Sequence, residues 1–324
     1  MSSTAADSMQ PKGVSSRFSP STRKQLRKGL WIFFFVSPAM AVVIVFILMP
    51  LFLSLFNSLF EWRHLVRAEF IGLDNFRALF TTFPFRERFF NALGNNVRWF
   101  LSMMIIQNSI GLFFGYMLAR RIAGQEFFKR VFFIPVLFSV VAVSFLWSLY
   151  LRPTGLVNQF LSLIGQGHLA RAWLGEAQIA IYSIIVVNIW RWIGFPALVF
   201  MAAVDNVPLD CIEAAYLDGI GEWKLFWRII FPLILPAITV IAVLTTIGSL
   251  NVFEQIFAMA GPIGQPNFST DVLAIMFYRT AFGGVDAGNP LIGMGSAIGV
   301  IIYFSTFLIS IIAIIVTRSK EVEL

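Results

Sequence analysis

Long apolar runs separated by short polar segments dominate the chain. Six runs, at about residues 30–56, 97–119, 131–150, 179–203, 233–257 and 291–316, have the length that crosses a hydrocarbon core of about 30 Å as a helix. The pattern predicts an all-α polytopic membrane protein with six transmembrane helices. The first run exceeds the roughly 7 to 15 residues of a signal-peptide core and has no small-residue cleavage site before its end, so it reads as a retained span, with Pro38 and Pro50 as candidate kinks. Within the second, Gly111 and Gly115 form a GxxxG step that permits close helix contact. Residues 1–29 are rich in Ser, Thr, Pro and basic residues without a periodic apolar face, which predicts a disordered tail, and residues 318–324 form a short second tail.

Composition agrees with the pattern. The chain has 324 residues, 58% hydrophobic and 13% charged, against about 25% charged for soluble domains. Its net charge of +7 is concentrated beside the apolar runs, as a topology signal rather than a nucleic-acid surface. Arg23, Lys24, Arg27 and Lys28 precede the first span, Arg120, Arg121, Lys129 and Arg130 surround the loop after the second, and Arg318 and Lys320 follow the sixth. An even number of spans separates these clusters, which puts both termini in the cytoplasm. The first external loop, with Arg63, Arg67, Arg77, Arg86 and Arg88, runs against the trend. A single cysteine, Cys211, excludes an internal disulfide, and His64 and His168 lie far apart in polar segments, so no metal site is expected. There is no GxxxxGK[ST] phosphate loop, no HExxH and no GxSxG, so no catalytic residue is assigned.

One polar interruption is patterned like folded structure: Asp205 to Pro236, DNVPLDCIEAAYLDGIGEWKLFWRIIFPLILP. Pro208 suits a first helical position, and Asp210 and Glu213 put negative charge where the helix dipole favours it. Leu209, Ile212 and Tyr216 fall on one face, opposite Asp210, Glu213 and Asp218, and Gly219 supplies a stop. A second short helix from Glu222 to Phe231 carries Trp223, Phe226, Trp227 and Ile230 on its apolar side.

The order Glu213-Ala214-Ala215, three residues, Gly219, then Ile220-Gly221 and an apolar approach to Leu235-Pro236 resembles the EAA loop of ABC importer permeases. Asp218-Gly219, Trp223, Phe226 and Leu235-Pro236 match the maltose-type carbohydrate uptake branch, and FIGLDNF after the first span is similar to its FVGLDNY-type segment. Two departures occur: Ile220 replaces the usual alanine after the glycine, and PLIGMGSAI stands where that branch has a GYAAA-like stretch. The resemblance covers about residues 30–316 and implies a type I importer permease fold in a bacterial cytoplasmic (inner) membrane. It implies that Glu213, Ala214, Ala215, Asp218 and Gly219 form an ATPase-coupling loop docked in a groove of an ATPase. It also implies a second permease subunit, two ATPase subunits carrying ATP and Mg, an extracytoplasmic solute-binding protein, and sugars or related polyols and glycerol phosphates as solutes, with no cofactor on this chain itself.

Polar residues within the spans require protein-facing or watery positions, since a charge near the bilayer centre costs about 2.5 to 3.5 kcal/mol on insertion scales. Asn188, Arg191, Trp192 and Phe195 form one stripe on the fourth span, and Asn251, Glu254 and Gln255 a second near the outer end of the fifth. Polar donors beside flat aromatic faces suit a sugar, whose hydroxyls need bidentate partners and whose C–H faces stack on rings. Two readings stand: the stripes line a solute pathway, or they pair between helices or with a second subunit. A different class, an ion- or proton-coupled secondary transporter with Arg191 and Glu254 as coupling groups, would need no soluble partner and leaves the folded 205–236 segment without a use.

Overall fold

Helices form at all six apolar runs, and three of the six are bent by more than 40°. The computed structural model describes residues 20–63, 65–283 and 289–318. The chain divides into two units, Met1–Leu53 and Ser54–Leu324. In the first, α1 (Pro20–Val43) passes Pro38 unbroken and continues through a π-turn (Ile44–Leu48) into α2 (Met49–Asn57), which crosses the unit boundary. Pro50 cannot donate to the carbonyl of Phe46 and crowds it, and the extra residue of the π-turn absorbs that conflict. The helix begins at Pro20 and so takes in part of the stretch expected as coil. Residues 1–19, His64 and Lys320 lie outside the described residues.

The second unit opens with an antiparallel pair, β1 (Phe60–Arg63) and β2 (Val66–Phe70), followed by α3 (Asp74–Thr81). A single helical run, Phe85–Ala119, then comprises α4 (Phe85–Leu101), a π-helical stretch (Ser102–Gln107) and α5 (Asn108–Ala119). The segment FRERFFNALGNN, expected as part of an external loop, is thus the first turns of this helix. Its charged residues sit at the helix start, while Asn95 and Asn96 are buried. α6 (Gln125–Leu137) and α7 (Val140–Tyr150) meet at 98°, where Phe138 is extended beyond Pro135. After α8 (Leu156–Leu163), α9 (Ala180–Trp192) and α10 (Gly194–Asp205) form a span bent by 41°.

The amphipathic segment folds as α11 (Leu209–Leu217), α12 (Glu222–Leu225), a π-turn (Phe226–Ile230) and α13 (Phe231–Leu233). A 69° bend leads into α14 (Leu235–Leu250). The expected fifth span to residue 257 is therefore broken after Leu250, and α15 (Glu254–Ala260) is separate. α16 (Leu273–Phe282), which the sequence pattern did not predict, precedes the long last helix α17 (Ile292–Arg318). Among the described residues, three helices are long and apolar enough to cross a membrane, and six if each bent pair counts as one span. The fold is all-α and polytopic, of the importer type I permease class, apart from the β1–β2 pair among the described residues.

The GxxxG step packs α5 on α10. A Cβ added at Gly111 would lie 2.9 Å from Pro196 Cβ, and one at Gly115 2.7 Å from the carbonyl oxygen of Ala197, both inside van der Waals contact. Gly115→Leu is therefore expected to lower the thermal midpoint of the detergent-solubilised protein, at the overpacking cost of about 1–3 kcal/mol. Gly94→Ala, in α4 with open space around it, is expected to leave the midpoint unchanged or raise it; fluorescence-detected melting of the two variants checks the pair.

Candidate solute cavity and coupling loop

The cavity forms where two helices break. α9 carries Asn188, Arg191 and Trp192 up to the bend at Ile193, and Phe195 follows one turn later at the start of α10. The interruption between α14 and α15 carries Asn251, with Glu254 and Gln255 opening α15. All seven residues line one cavity of about 670 Å³, within the size range of small-molecule sites. The structure also brings in residues not singled out from sequence: Trp99, Gln107 and Asn108 from the Phe85–Ala119 run, and Thr245 and Ser249 from α14. The adjacent amides Gln107-Asn108 in the middle of an apolar run were the signal for the first group. The α14 hydroxyls gave none, because Ser and Thr are common in spanning helices.

Arg191 is 8% exposed. Its Nη2 donates to the carbonyl of Phe138 at 3.2 Å, and its guanidinium lies 5.0 Å from the centre of the Trp192 ring. Phe138 is the C-cap of α6, so the cation sits on a carbonyl that the break has freed, where the helix dipole favours positive charge. Nε has no hydrogen-bond partner, and neither do the buried oxygens of Gln107, Ser249 and Gln255; all four residues line the cavity. Asn188 Nδ2 donates to Met103 Sδ at 3.0 Å, and Gln255 Nε2 to the Ile184 carbonyl at 3.4 Å. Asn108 Nδ2 reaches Thr245 Oγ1 at 3.0 Å. Phe195 stands edge-on to Trp192, ring centres 6.1 Å apart. Pairing between helices and lining of the cavity thus coexist in the same side chains. Glu254 is exposed and makes no ion pair with Arg191.

A polar brace holds the segment between α15 and α16 against α4. Asn95 Nδ2 donates to the carbonyls of Ser269 and Asp271 at 2.7 and 2.8 Å. Asn96 bonds the Ser249 carbonyl and accepts from the Leu273 amide, both at 2.9 Å. Asp271 and Arg279, both buried, form a two-armed ion pair whose closer contact is 2.7 Å. Arg88 and Arg279 face the Phe268 ring at 4.4 and 4.9 Å.

At the candidate coupling loop, Pro208 is the cap residue rather than the first helical one, and α11 runs nine residues, about 13 Å. It ends in a Schellman motif: Gly219 has φ +73°, its amide donates to the Tyr216 carbonyl, and the Ile220 amide donates to the Ala215 carbonyl, each at 3.0 Å. The expected apolar face is shifted. Ala215 is buried and Ile212 partly so, whereas Leu209 and Tyr216 are exposed. On the second helix Leu225 and Ile230 are buried, while Trp223 and Trp227 are exposed and pack edge-to-face on each other at 5.7 Å. Ala215, Leu225, Ile230 and Ile234 form one core with Val204 and Val207 at the end of α10, and Tyr116 of α5 packs on it. Glu213, Ala214, Asp218 and Gly219 are left exposed on the outside of a hairpin whose inner face is fixed.

Bent apolar helices around a polar and aromatic cavity, with a folded amphipathic hairpin between two spans, define a membrane permease. The chain belongs to the family of binding-protein-dependent transport system inner membrane components, whose pattern matches residues 107–321, and is a permease subunit of an ABC transporter. It is 32% identical over 283 residues to the probable ABC transporter permease protein YurN of Bacillus subtilis, covering 86% of this chain and 93% of the relative. It is 26% identical over 303 residues to the probable starch degradation products transport system permease protein AmyD of Thermoanaerobacterium thermosulfurigenes, covering 93% and 98%. With the lactose transport system permease protein LacF of Rhizobium radiobacter the identity is 30% over 253 residues, covering 78% and 83%. A chain in the crystal structure of a bacterial ABC transporter involved in the import of the acidic polysaccharide alginate shares the fold, with a TM-score of 0.78 at 23% identity over 92% of this chain and 99% of that one.

Because Arg191 bonds the Phe138 carbonyl and not Glu254, Arg191→Glu is expected to destabilise the protein by about 1.5–3 kcal/mol, the worth of a hydrogen bond to a charged group. Adding Glu254→Arg is expected to recover none of that loss. Thermal midpoints of the single and double variants decide it: recovery in the double exchange would show that the two side chains pair directly.

Proposed function

We propose that the chain is a transmembrane subunit of a binding-protein-dependent importer that moves a sugar or a related polyol into the cytoplasm, driven by ATP hydrolysis on separate subunits. The observation that carries this reading is the convergence of both polar-aromatic stripes on one cavity. Its chemistry suits a neutral polyhydroxylated solute: Arg191, Asn188 and Gln107 offer donors, Glu254, Gln255 and Ser249 offer acceptors, and Trp192, Phe195 and Trp99 offer faces for C–H stacking. The names of AmyD and LacF support a carbohydrate solute, and the sequence of the coupling loop resembles that of the maltose-type branch, apart from Ile220.

In this reading residues 30–317 form the permease domain, in a bacterial cytoplasmic membrane with both termini inside. A second permease subunit completes the pathway, a solute-binding protein delivers from outside, and two ATPase subunits holding ATP and Mg act from the cytoplasm. Glu213, Ala214 and the Asp218-Gly219 corner form the face that meets an ATPase. A short helix closed by a Schellman motif and cemented to α5 and α10 moves as a rigid body, and Glu213 at its exposed side is placed for a charge-assisted hydrogen bond to a basic or amide group. Gly219 has open space around it but a left-handed φ, so a β-branched side chain there strains the backbone rather than clashing. The ion-coupled alternative is less well supported: its two coupling groups, Arg191 and Glu254, share the cavity but make no ion pair, and it leaves the folded 205–236 segment without a use.

The test uses the assembled complex with its binding protein, reconstituted in proteoliposomes. Glu213→Lys is expected to weaken ATPase retention in detergent pull-downs, and Gly219→Val to retain the ATPase while hydrolysis no longer drives uptake. Trp192→Ala and Asn251→Ala are expected to cut uptake of a labelled sugar at least about tenfold, the equivalent of roughly 1.4 kcal/mol, with assembly and ATP hydrolysis preserved. Normal retention and uptake in both loop variants would remove the coupling assignment, and failure of both cavity variants to assemble would reduce the stripes to packing.

A further inference from the structure

Four polar side chains beneath the coupling loop form a closed network that the proposed docking surface does not use. Tyr116 lies in the last turn of α5, and Arg120 immediately follows that helix. Tyr216 is near the end of α11, and Glu222 opens α12. The Tyr116 hydroxyl donates to Glu222 Oε2 at 2.8 Å, and the Tyr216 hydroxyl donates to Glu222 Oε1 at 2.6 Å. Arg120 Nη2 reaches both Glu222 Oε1 and the Tyr216 hydroxyl. One carboxylate thus gathers three donors from two parts of the chain about a hundred residues apart in sequence. The Tyr216 hydrogen bond, followed by that of Tyr116 and the charge of Arg120, holds the Glu222 carboxyl below its ordinary range, so it is ionised at neutral pH.

The position of the network is more informative than its strength. Its residues are partly exposed, with Arg120 and Glu222 side chains 33% and 55% accessible, so it adds little to stability as an isolated surface pair. It does tie both ends of the turn between α11 and α12 to the end of the helix that carries Gln107 and Asn108 on the cavity wall. The apolar core under the hairpin holds it by packing alone, without directional contacts. A carboxylate held by three donors adds directional contacts that pass a displacement on. Tyr116 also packs edge-on against Phe226 at 4.9 Å, so the same side chain serves both layers.

We propose that Tyr116, Arg120, Tyr216 and Glu222 form a strut that transmits displacement of the coupling loop to the Phe85–Ala119 helix and so to the cavity wall. The proposal rests on the coupling reading of α11. The four are positioning residues: they act through the carboxylate they share, and they set how much of the loop's movement reaches the spanning helices.

The experiment measures ATP hydrolysed per solute taken up by the complete complex in proteoliposomes, together with ATPase retention and thermal midpoint in detergent. Arg120→Glu, which sets two carboxylates against each other, is expected to raise the ATP-to-solute ratio at least fivefold while retention and midpoint stay near the unmodified values. The double exchange Arg120→Glu, Glu222→Arg is expected to bring the ratio back to within twofold. Tyr216→Phe removes one hydroxyl from an exposed ring and carries no folding risk; a twofold or larger rise in the ratio is expected. An unchanged ratio in Arg120→Glu and Tyr216→Phe overturns the strut. So does a loss of uptake and hydrolysis in proportion to a fall in midpoint, which is the signature of a merely structural staple. Glu213→Lys is measured alongside: if it loses ATPase retention while the strut variants keep a normal ratio, docking at α11 survives and the strut fails. If Glu213→Lys retains the ATPase normally, the coupling reading fails and takes the strut with it.

Discussion

The structure depends on how a chain with broken helices satisfies its backbone in a medium that contains no water. Each break frees carbonyl and amide groups that hydrocarbon cannot hydrogen-bond, and irregular backbone at membrane depth is tolerated only where protein or a watery cavity meets it. Here side chains supply the partners. Arg191 takes the Phe138 carbonyl at the 98° corner between α6 and α7. Asn96 takes the Ser249 carbonyl next to the α14 break and returns its own carbonyl to the Leu273 amide. Asn95 takes Ser269 and Asp271 in the segment that follows. The expense of placing an arginine and two asparagines in buried positions is offset by the groups they satisfy.

The breaks also make the cavity. A straight helix presents a uniform side-chain surface to its neighbours, and apolar helices packed on one another leave little room. Bending α9 from α10 at Ile193 and interrupting α14 at Asn251 opens a space whose walls include residues that a continuous helix would have turned elsewhere. Four of the residues that line it, Gln107, Arg191, Ser249 and Gln255, each keep one buried polar atom without a hydrogen-bond partner. The GxxxG contact of α5 with α10 fixes one side of this space by backbone proximity. The tightly packed hairpin below fixes the other end of both helices.

Much of this was legible in the chain, and the exceptions have physical reasons. The apolar runs marked the helices because length and hydropathy are what a bilayer selects. The stripe residues were found because polar groups in such runs stand out, and the hairpin because proline, acidic first-turn residues and Gly219 mark its ends. Bends were not legible: Pro135 and Pro232 are followed by sharp corners, whereas Pro38 lies in a helix that continues, and only tertiary packing separates the cases. The start of the Phe85–Ala119 helix was missed because Asn95 and Asn96 look like loop residues until the backbone they bind is known. The buried face of α11 was assigned to Leu209, Ile212 and Tyr216 by periodicity, but Tyr216 is drawn outward by Glu222 and Arg120, and Ala215 takes the inner position.

The central claim is that the cavity belongs to a pathway whose access changes with the nucleotide state of partner ATPases. The sequence allows a direct measurement, because it contains one cysteine. In a Cys211→Ser background, Val252→Cys puts a single thiol on the cavity wall beside the α14 break. Its rate of reaction with a membrane-impermeant thiol reagent is then followed in the reconstituted complex, without nucleotide and with an unhydrolysable ATP analogue bound. The account predicts a rate that changes by about an order of magnitude between the two states, as expected when a gate shifts between populations. Equal rates in both states would contradict it.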